Sequence, residues 1–260
     1  VRRQRQMCIR DSIIHYSLNS MVETSTIAIG VVAIILLYVI WQYLTDSYTQ
    51  IGNMQKGSVK TTLPATTLPP NNNPSNFSIS LWFYVTNWSC VNTSSSGAAS
   101  KDVFTIKGAN GTDINFSIKL GACNNDLDVQ TRYSKGPSQT DLATCHVSNI
   151  PIQRWVCLIV SIYGRTLDIY LDGKLVRTCV LPSVSIALAN QSALTNIEIG
   201  GGFDGFITSI KYKAEPVNPQ EAWNTYTDGY GGSMLQDILN KYKLKLSFLV
   251  DDVEKQAITL

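Results

Sequence analysis

Histidine is almost missing from this chain of 260 residues, occurring only at His15 and His146. With one histidine in the body of the chain, a zinc site or a histidine-based nucleophilic relay would need unusual partners, because both chemistries draw on imidazole. Glutamate is also scarce. From residue 76 onward only Glu198, Glu215, Glu221 and Glu254 occur, none with an acidic neighbour at strand spacing, so the carboxylate pair of glycoside hydrolysis is not visible. The formal net charge is +2 with 15% charged residues and no basic stripe, which argues against nucleic acid as a partner. No cofactor motif and no internal repeat are present. These absences predict a protein that is not an enzyme and carries no cofactor.

What is present is uneven. Residues 24–45, TSTIAIGVVAIILLYVIWQYLT, carry no charge. As a helix this run would be about 33 Å long, enough for one transmembrane span. Trp41 and Tyr43 lie near its end, where amphipathic rings favour the bilayer interface. The alternatives are a buried core helix, against which the length argues, and a cleaved signal peptide, whose small-residue cleavage site is missing where Trp41-Gln42-Tyr43-Leu44 stands. Residues 1–20 show no period, and Met21 directly precedes the apolar run, so the leader is read as non-native sequence ahead of a start at Met21. Arg2, Arg3, Arg5 and Arg10 would keep the N-terminus cytoplasmic. Without them, Lys56 and Lys60 lean the other way, and the charges leave the orientation open.

Residues 46–75 form a polar stretch followed by TTLPATTLPPNNNPSN, whose prolines predict an extended, semi-rigid spacer. From Phe77 short strands follow one another: FSISLWFYV, VFTIKG, INFSIKLG and LDVQTRY, separated by turn residues. Arg154 to Leu181 reads as three antiparallel strands turning at Gly164-Arg165 and Asp172-Gly173. The first turn sets Ile162 against Leu167, Val160 against Ile169 and Leu158 against Leu171. The second places Val176 beside Ile169 and Arg177 beside Asp168, an exposed ion pair worth less than about 1 kcal/mol. One face is then apolar, and Ser161, Tyr163, Asp168, Tyr170 and Arg177 face outward. Ile197 to Val217 supplies two further strands, and Asn218, Pro219 and Glu221 open a short helix as N-cap, first residue and capping-box partner. Residues 232–260 read as a helix and strand tail. The expected fold class is all-β, an antiparallel β-sandwich of jelly-roll type over residues 76–231.

The run RWVCLIVSIYGRTLDIYLDGKLV, the strand pair IEIGGGFDGFITSIKY and the AWNTY helix resemble the laminin-G-like, concanavalin-A-like lectin/glucanase superfamily. The resemblance covers about residues 76–231 and implies a sandwich that serves lectins, adhesion modules, hydrolases and capsid parts alike. The order of short N-terminus, span, Thr/Pro linker, sandwich and tail is similar to membrane-anchored proteins of large double-stranded DNA viruses of algae and protists. That likeness implies a virion or host-derived membrane and a partner that is either a glycan or a coat or surface protein. Calcium is the one ion the family suggests, with Asp102, Asp126 and Asp128 as candidate oxygen ligands, although they match no motif.

Exposed aromatics are the usual sugar platform. Tyr170 and Trp88 are the candidates, with Trp82 assigned to the core. Among Cys90, Cys123, Cys145, Cys157 and Cys179, an odd set, Cys123 with Cys145 is the first candidate disulfide, and buried reduced thiols are the alternative. The register sets Cys157 and Cys179 too far apart to bridge. Asn76, Asn87, Asn92, Asn110, Asn115 and Asn190 begin N-glycosylation sequons, which require an external or lumenal side. The functions expected are a lectin-like recognition module on a membrane, a capsid–membrane scaffold without glycan binding and, disfavoured, a glycoside hydrolase.

Overall fold

The computed structural model describes residues 29–39, 48–90, 101–137, 139–230, 245–250 and 253–259. Residues 29–39 are helical, and among the described residues no helix is long and apolar enough to cross a membrane. The rest of the expected span, the leader 1–20 and residues 231–244 of the tail lie outside the described residues.

From Thr49 the chain forms β1 (Thr49–Gly52), β2 (Gln55–Lys56), β3 (Thr61–Pro64), β4 (Asn76–Asn87), β5 (Lys101–Lys107), β6 (Ile114–Leu120) and β7 (Leu127–Gly136). It continues with β8 (Gln139–Val147), β9 (Trp155–Tyr163), β10 (Thr166–Leu171), β11 (Lys174–Val180), β12 (Asn196–Ile199), β13 (Asp204–Lys213) and the helix α1 (Pro219–Thr227). The first sheet runs β1-β13-β4-β9-β10-β11, with β2 also on β13, and the second runs β3-β12-β5-β6-β7-β8. A separate two-stranded sheet pairs β14 (Lys245–Val250) with β15 (Val253–Thr259). The expected antiparallel sandwich is therefore what the chain forms.

Period-two alternation explains the core. Phe77, Ile79, Leu81, Phe83 and Val85 of β4 meet Phe104 and Ile106 of β5, Phe116 and Ile118 of β6, and Leu127 and Val129 of β7 between the sheets. Leu158, Val160, Ile162, Leu167 and Ile169 join them, and their cross-strand partners are those the first hairpin turn predicted. The Asp172-Gly173 turn has φ of 50° and 74° at its two centres, as a type I′ hairpin requires. Glycine is needed there twice over, because a Cβ on Gly173 would lie 3.0 Å from Trp223 Cα of α1. Asn218 caps α1 as expected, its side chain accepting from the Glu221 N–H at 2.9 Å.

Three expectations are corrected. Of the stretch 46–75 read as a polar segment and spacer, the described residues 48–75 are part of the sandwich: β1 pairs with β13, β3 pairs with β12, and Ala65 and Leu68 are buried in the core. Proline is accommodated because β3 is an edge strand that Pro64 ends, where no ladder donor is needed. In the β10–β11 hairpin a bulge shifts the register, so Ile169 faces Arg177 and Asp168 faces Thr178. Asp168 consequently accepts from the Thr178 hydroxyl at 2.6 Å in place of the expected Arg177 pair, and Val176 is exposed. Tyr170 does lie on the outer face of the first sheet, but α1 covers it and leaves it 2% exposed.

The cysteines pair differently from expectation. Cys90 joins Cys123, and Cys145 joins Cys179, with Cα separations of 4.3 and 5.9 Å. Cys145 stands on β8 and Cys179 on β11, the end strands of the two sheets, so this bond staples the sandwich along one side. No local signal in the sequence could show it, because the two strands meet only across the sandwich. Cys157 is free and buried, and burial pushes its thiol up to about 12, which keeps it protonated and unreactive.

Candidate functional site

The two sheets present outer faces of opposite chemistry. On the first, Trp82, Cys157, Ile159 and Tyr170 form a second apolar cluster with Val217 and Ala222, and Tyr48, Trp155 and Tyr226 pack against it. Its rings touch in series. Trp223 leads to Tyr226 (5.5 Å between centroids), Trp82 (5.8 Å), Tyr230 (5.7 Å), Trp155 (4.7 Å, stacked) and Tyr84 (5.7 Å). Arg154 beside Trp155 pairs with Asp172, whose other oxygen accepts the Cys157 N–H at 3.0 Å.

The outer face of the second sheet is polar from strand to strand. One row crosses the whole sheet: Thr62, Glu198, Thr105, Ser117, Gln130 and Thr144 are successive cross-strand partners. Ser117 Oγ donates to Gln130 Oε1 at 3.2 Å, and Gln130 Nε2 donates to Thr144 Oγ1 at 3.3 Å. Glu198 is held between Lys60 (2.8 Å) and Lys107 (3.8 Å). Ser117 and Thr105 are buried at the middle of the row, and among the described residues Thr105 Oγ1 has no hydrogen-bond partner. Toward β8 the face opens to solvent.

A second row lies beside the first. Asp102 faces Lys119, Lys119 faces Asp128, and Asp128 faces His146. His146 Nδ1 is 2.7 Å from Asp128 Oδ1, and its Nε2 is 3.1 Å from Ser148 Oγ and 3.8 Å from Asp126 Oδ2. On the other side of Gln130, Arg132 donates from Nε and Nη2 to the Ile114 carbonyl and from Nη1 to Thr140 Oγ1 at 2.8 Å. The side chains on β7 and β8 are thus fixed by one another before any ligand arrives, offering alternating donors and acceptors in an open array. Asp128, His146 and Ser148 have the connectivity of a hydrolytic relay. They stand on an open strand surface with the histidine side chain half exposed, whereas such chemistry draws its force from a water-excluded site.

The sequence-based candidates fall out differently. Tyr170 is buried and cannot be a platform. Trp88 is half-buried against the core, and one ring face is occupied by the Lys101 ammonium, 4.2 Å from the centroid. Lys101 also donates to the Gly121 and Ala122 carbonyls, and burial lowers its pKa. Trp82 is buried, as read, but in the outer cluster under α1. Of the calcium candidates, Asp126 and Asp128 flank His146 while Asp102 lies across Lys119. Among the described residues no group of three or more metal-ligating side chains assembles. Of the sequons, Asn87, Asn110 and Asn190 are exposed. Asn76 Oδ1 accepts the Gly164 N–H, and Asn115 Nδ2 donates to the Ala187 carbonyl, so the latter amide is engaged inside the fold. Asn92 lies outside the described residues.

Sequence reading missed both surfaces as units. Trp155 comes from β9 and Trp223 and Tyr230 from α1 and its end, two segments about 70 residues apart that no local spacing relates. The polar rows carried a signal, since Asp128, Gln130 and Arg132 alternate with Leu127, Val129 and Thr131, but the pairing that aligns them with β8 is not written locally.

Comparison with protein families agrees with the fold. The family model described as the concanavalin A-like lectin/glucanases superfamily matches residues 55–212. No curated protein matches the sequence. Solved structures similar to the chain include the binding domain of botulinum neurotoxin DC in complex with rat synaptotagmin II, at 14% identity and a TM-score of 0.46, covering 70% of this chain and 46% of that one. Another is the botulinum neurotoxin serotype D ligand-binding domain in complex with N-acetylneuraminic acid, at 12% identity and 0.47, covering 72% and 48%. The chain therefore spans about half the length of these neighbours.

Proposed function

From the premise that the chain belongs to the concanavalin A-like lectin/glucanases superfamily, we propose that it is a non-catalytic recognition module, displayed from a membrane by residues 24–45, that binds a glycan through the polar face of its second sheet. The observation that carries this reading is the pre-set array on β7 and β8, where Gln130 pairs with Thr144, Arg132 with Thr140 and Asp128 with His146 across the two strands on the outer face. Sugar hydroxyls, each both donor and acceptor, match such an array. Among the described carboxylates, Glu198, Glu215, Glu221, Asp141 and Asp172 are committed to lysine or arginine, which supports a binding role.

Two disulfides support an oxidising, external side for the sandwich, which would leave the N-terminus cytoplasmic and make Asn87, Asn110 and Asn190 available for N-glycans. The virion membrane is the location that the likeness in segment order implies, and a coat protein is the alternative partner. The test is a glycan array probed with residues 48–260, with and without calcium. Saturable binding to one glycan class, lost on Gln130→Ala and Thr144→Ala, supports the lectin reading. A blank with folded protein overturns it in favour of a protein partner.

A further inference from the structure

A cleft of about 350 Å³ opens where residues 70–76 meet the turn between β13 and α1. That volume falls in the range of small-ligand sites, roughly 300–1,000 Å³. Its walls are fixed by the fold. Gln191 accepts the Asn71 N–H at 3.1 Å and donates to the Pro69 carbonyl at 2.8 Å. Asn71 Nδ2 donates to the Asn76 carbonyl and the Tyr212 hydroxyl, and Asn71 Oδ1 accepts the Asn73 N–H. Asn71 is wholly engaged in this frame.

Other polar groups that line the cleft are not. The side-chain amides of Asn72 and Asn73 make no hydrogen bond among the described residues. Glu215 lies 3.4 Å from Lys213 with its side chain 67% exposed, while Glu221 holds the same ammonium more closely. Pro70 and Pro216 add apolar surface. Asn76, in the same lining, opens the sequon Asn76-Phe77-Ser78. Its Oδ1 accepts the Gly164 N–H at 2.9 Å, which holds the amide in one orientation. Its Nδ2 donates to nothing among the described residues and is not a buried atom, so it is open to solvent. The cross-strand neighbour of Asn76 is Tyr163, 64% exposed.

We propose that Asn76 carries an N-linked glycan whose innermost N-acetylhexosamine is seated in this cleft, so that the sugar forms part of the folded surface. The bond is made on the unfolded chain, before β4 pairs with β9. Nδ2 attacks C1 of an oligosaccharide held on a lipid pyrophosphate. The N–C1 bond forms as the C1–O bond breaks, the pyrophosphate leaves with the electron pair, and Nδ2 gives up one of its two protons. Oδ1 is untouched by this exchange, so the Gly164 contact survives it. Hydroxyls and the acetamido group of the sugar then meet the free amides of Asn72 and Asn73 and the Glu215 carboxylate, all of which can hydrogen-bond them. Such a glycan requires the external or lumenal side already read for the sandwich, and does not require that the polar face bind anything.

The full chain produced in a glycosylating animal cell would be tested by mass spectrometry of its glycopeptides and by timed digestion with a peptide-N-glycosidase. Asn76 should be occupied. Its glycan should leave the native protein at least about tenfold more slowly than any on the exposed Asn87, Asn110 or Asn190, because only a locally opened state is cut. Denaturation should abolish the difference. Asn73→Ala combined with Glu215→Ala should keep the occupancy and bring native release at Asn76 up to the exposed rate. Asn76 bare while any of the other three carries glycan overturns the proposal. Native release from Asn76 at the exposed rate, or slow release unmoved by the double variant, overturns it equally. A chain bare at all four sites removes the external side, and the proposal with it.

Discussion

The first sheet turns Trp82, Cys157, Ile159 and Tyr170 outward, while the second turns Lys119, Gln130, Arg132, Thr144 and His146 outward. Both sheets share one core, so the difference lies wholly in the residues that alternate with it. On the first sheet the outward set is apolar enough to need a cover, which α1 supplies with Ala222 and Tyr226. On the second it is polar enough to stand in water, and its order comes from hydrogen bonds between side chains. A face held by burial and a face held by polar networks should respond differently to the same perturbations.

The largest effect is expected on the aromatic face. Trp82→Ala opens a cavity beneath α1 and should cost about 3–5 kcal/mol, read by urea unfolding. A loss below about 1 kcal/mol would mean that the cluster is not a core. The seam between the sheets comes next. Breaking Cys145–Cys179 by paired serine substitution should cost about 2–4 kcal/mol, since the bond closes a 34-residue separation and ties β8 to β11. An unchanged Tm would show that it staples nothing.

Alkaline pH should also separate the faces. Burial raises the Cys157 thiol on the aromatic face and the Tyr212 hydroxyl in the main core, each to about 12. A group whose folded pKa exceeds its unfolded value contributes stability below the unfolded pKa and loses it as pH rises through the folded one. Tm should therefore fall between about pH 9 and 12, and Cys157→Ala should flatten part of that fall. An identical alkaline slope in the variant would contradict the assignment. The smallest effect belongs to the polar face, where Thr144→Ala should change stability by less than about 1 kcal/mol, because it removes one solvent-accessible hydrogen bond, and Gln130→Ala by about 1–2 kcal/mol, because it also removes the acceptor of the buried Ser117 hydroxyl.

Much of the fold was legible because local chemistry dictated it. Asp172-Gly173 specified the hairpin, alternation along β9 and β10 specified the buried face, and Asn218 specified where α1 begins. What could not be read depends on meetings across the sandwich. Tyr170 pointed outward as expected, but nothing near it in sequence announced α1 above it. Prolines in residues 61–75 suggested a spacer because edge-strand placement, which tolerates them, is a property of the sheet. The candidate site was the least legible part, since Gln130, Thr144 and His146 become neighbours only when β7 and β8 pair.

The division of labour between the faces is tested most directly by one titration series. Residues 48–260 would be titrated with the glycan class recovered from the array, using the parent, Gln130→Ala, Thr144→Ala and Trp223→Ser. Weakened binding in the two polar-face variants, with Trp223→Ser matching the parent, is the predicted result. Binding lost in Trp223→Ser and kept in the other two would place recognition on the aromatic face and contradict the account.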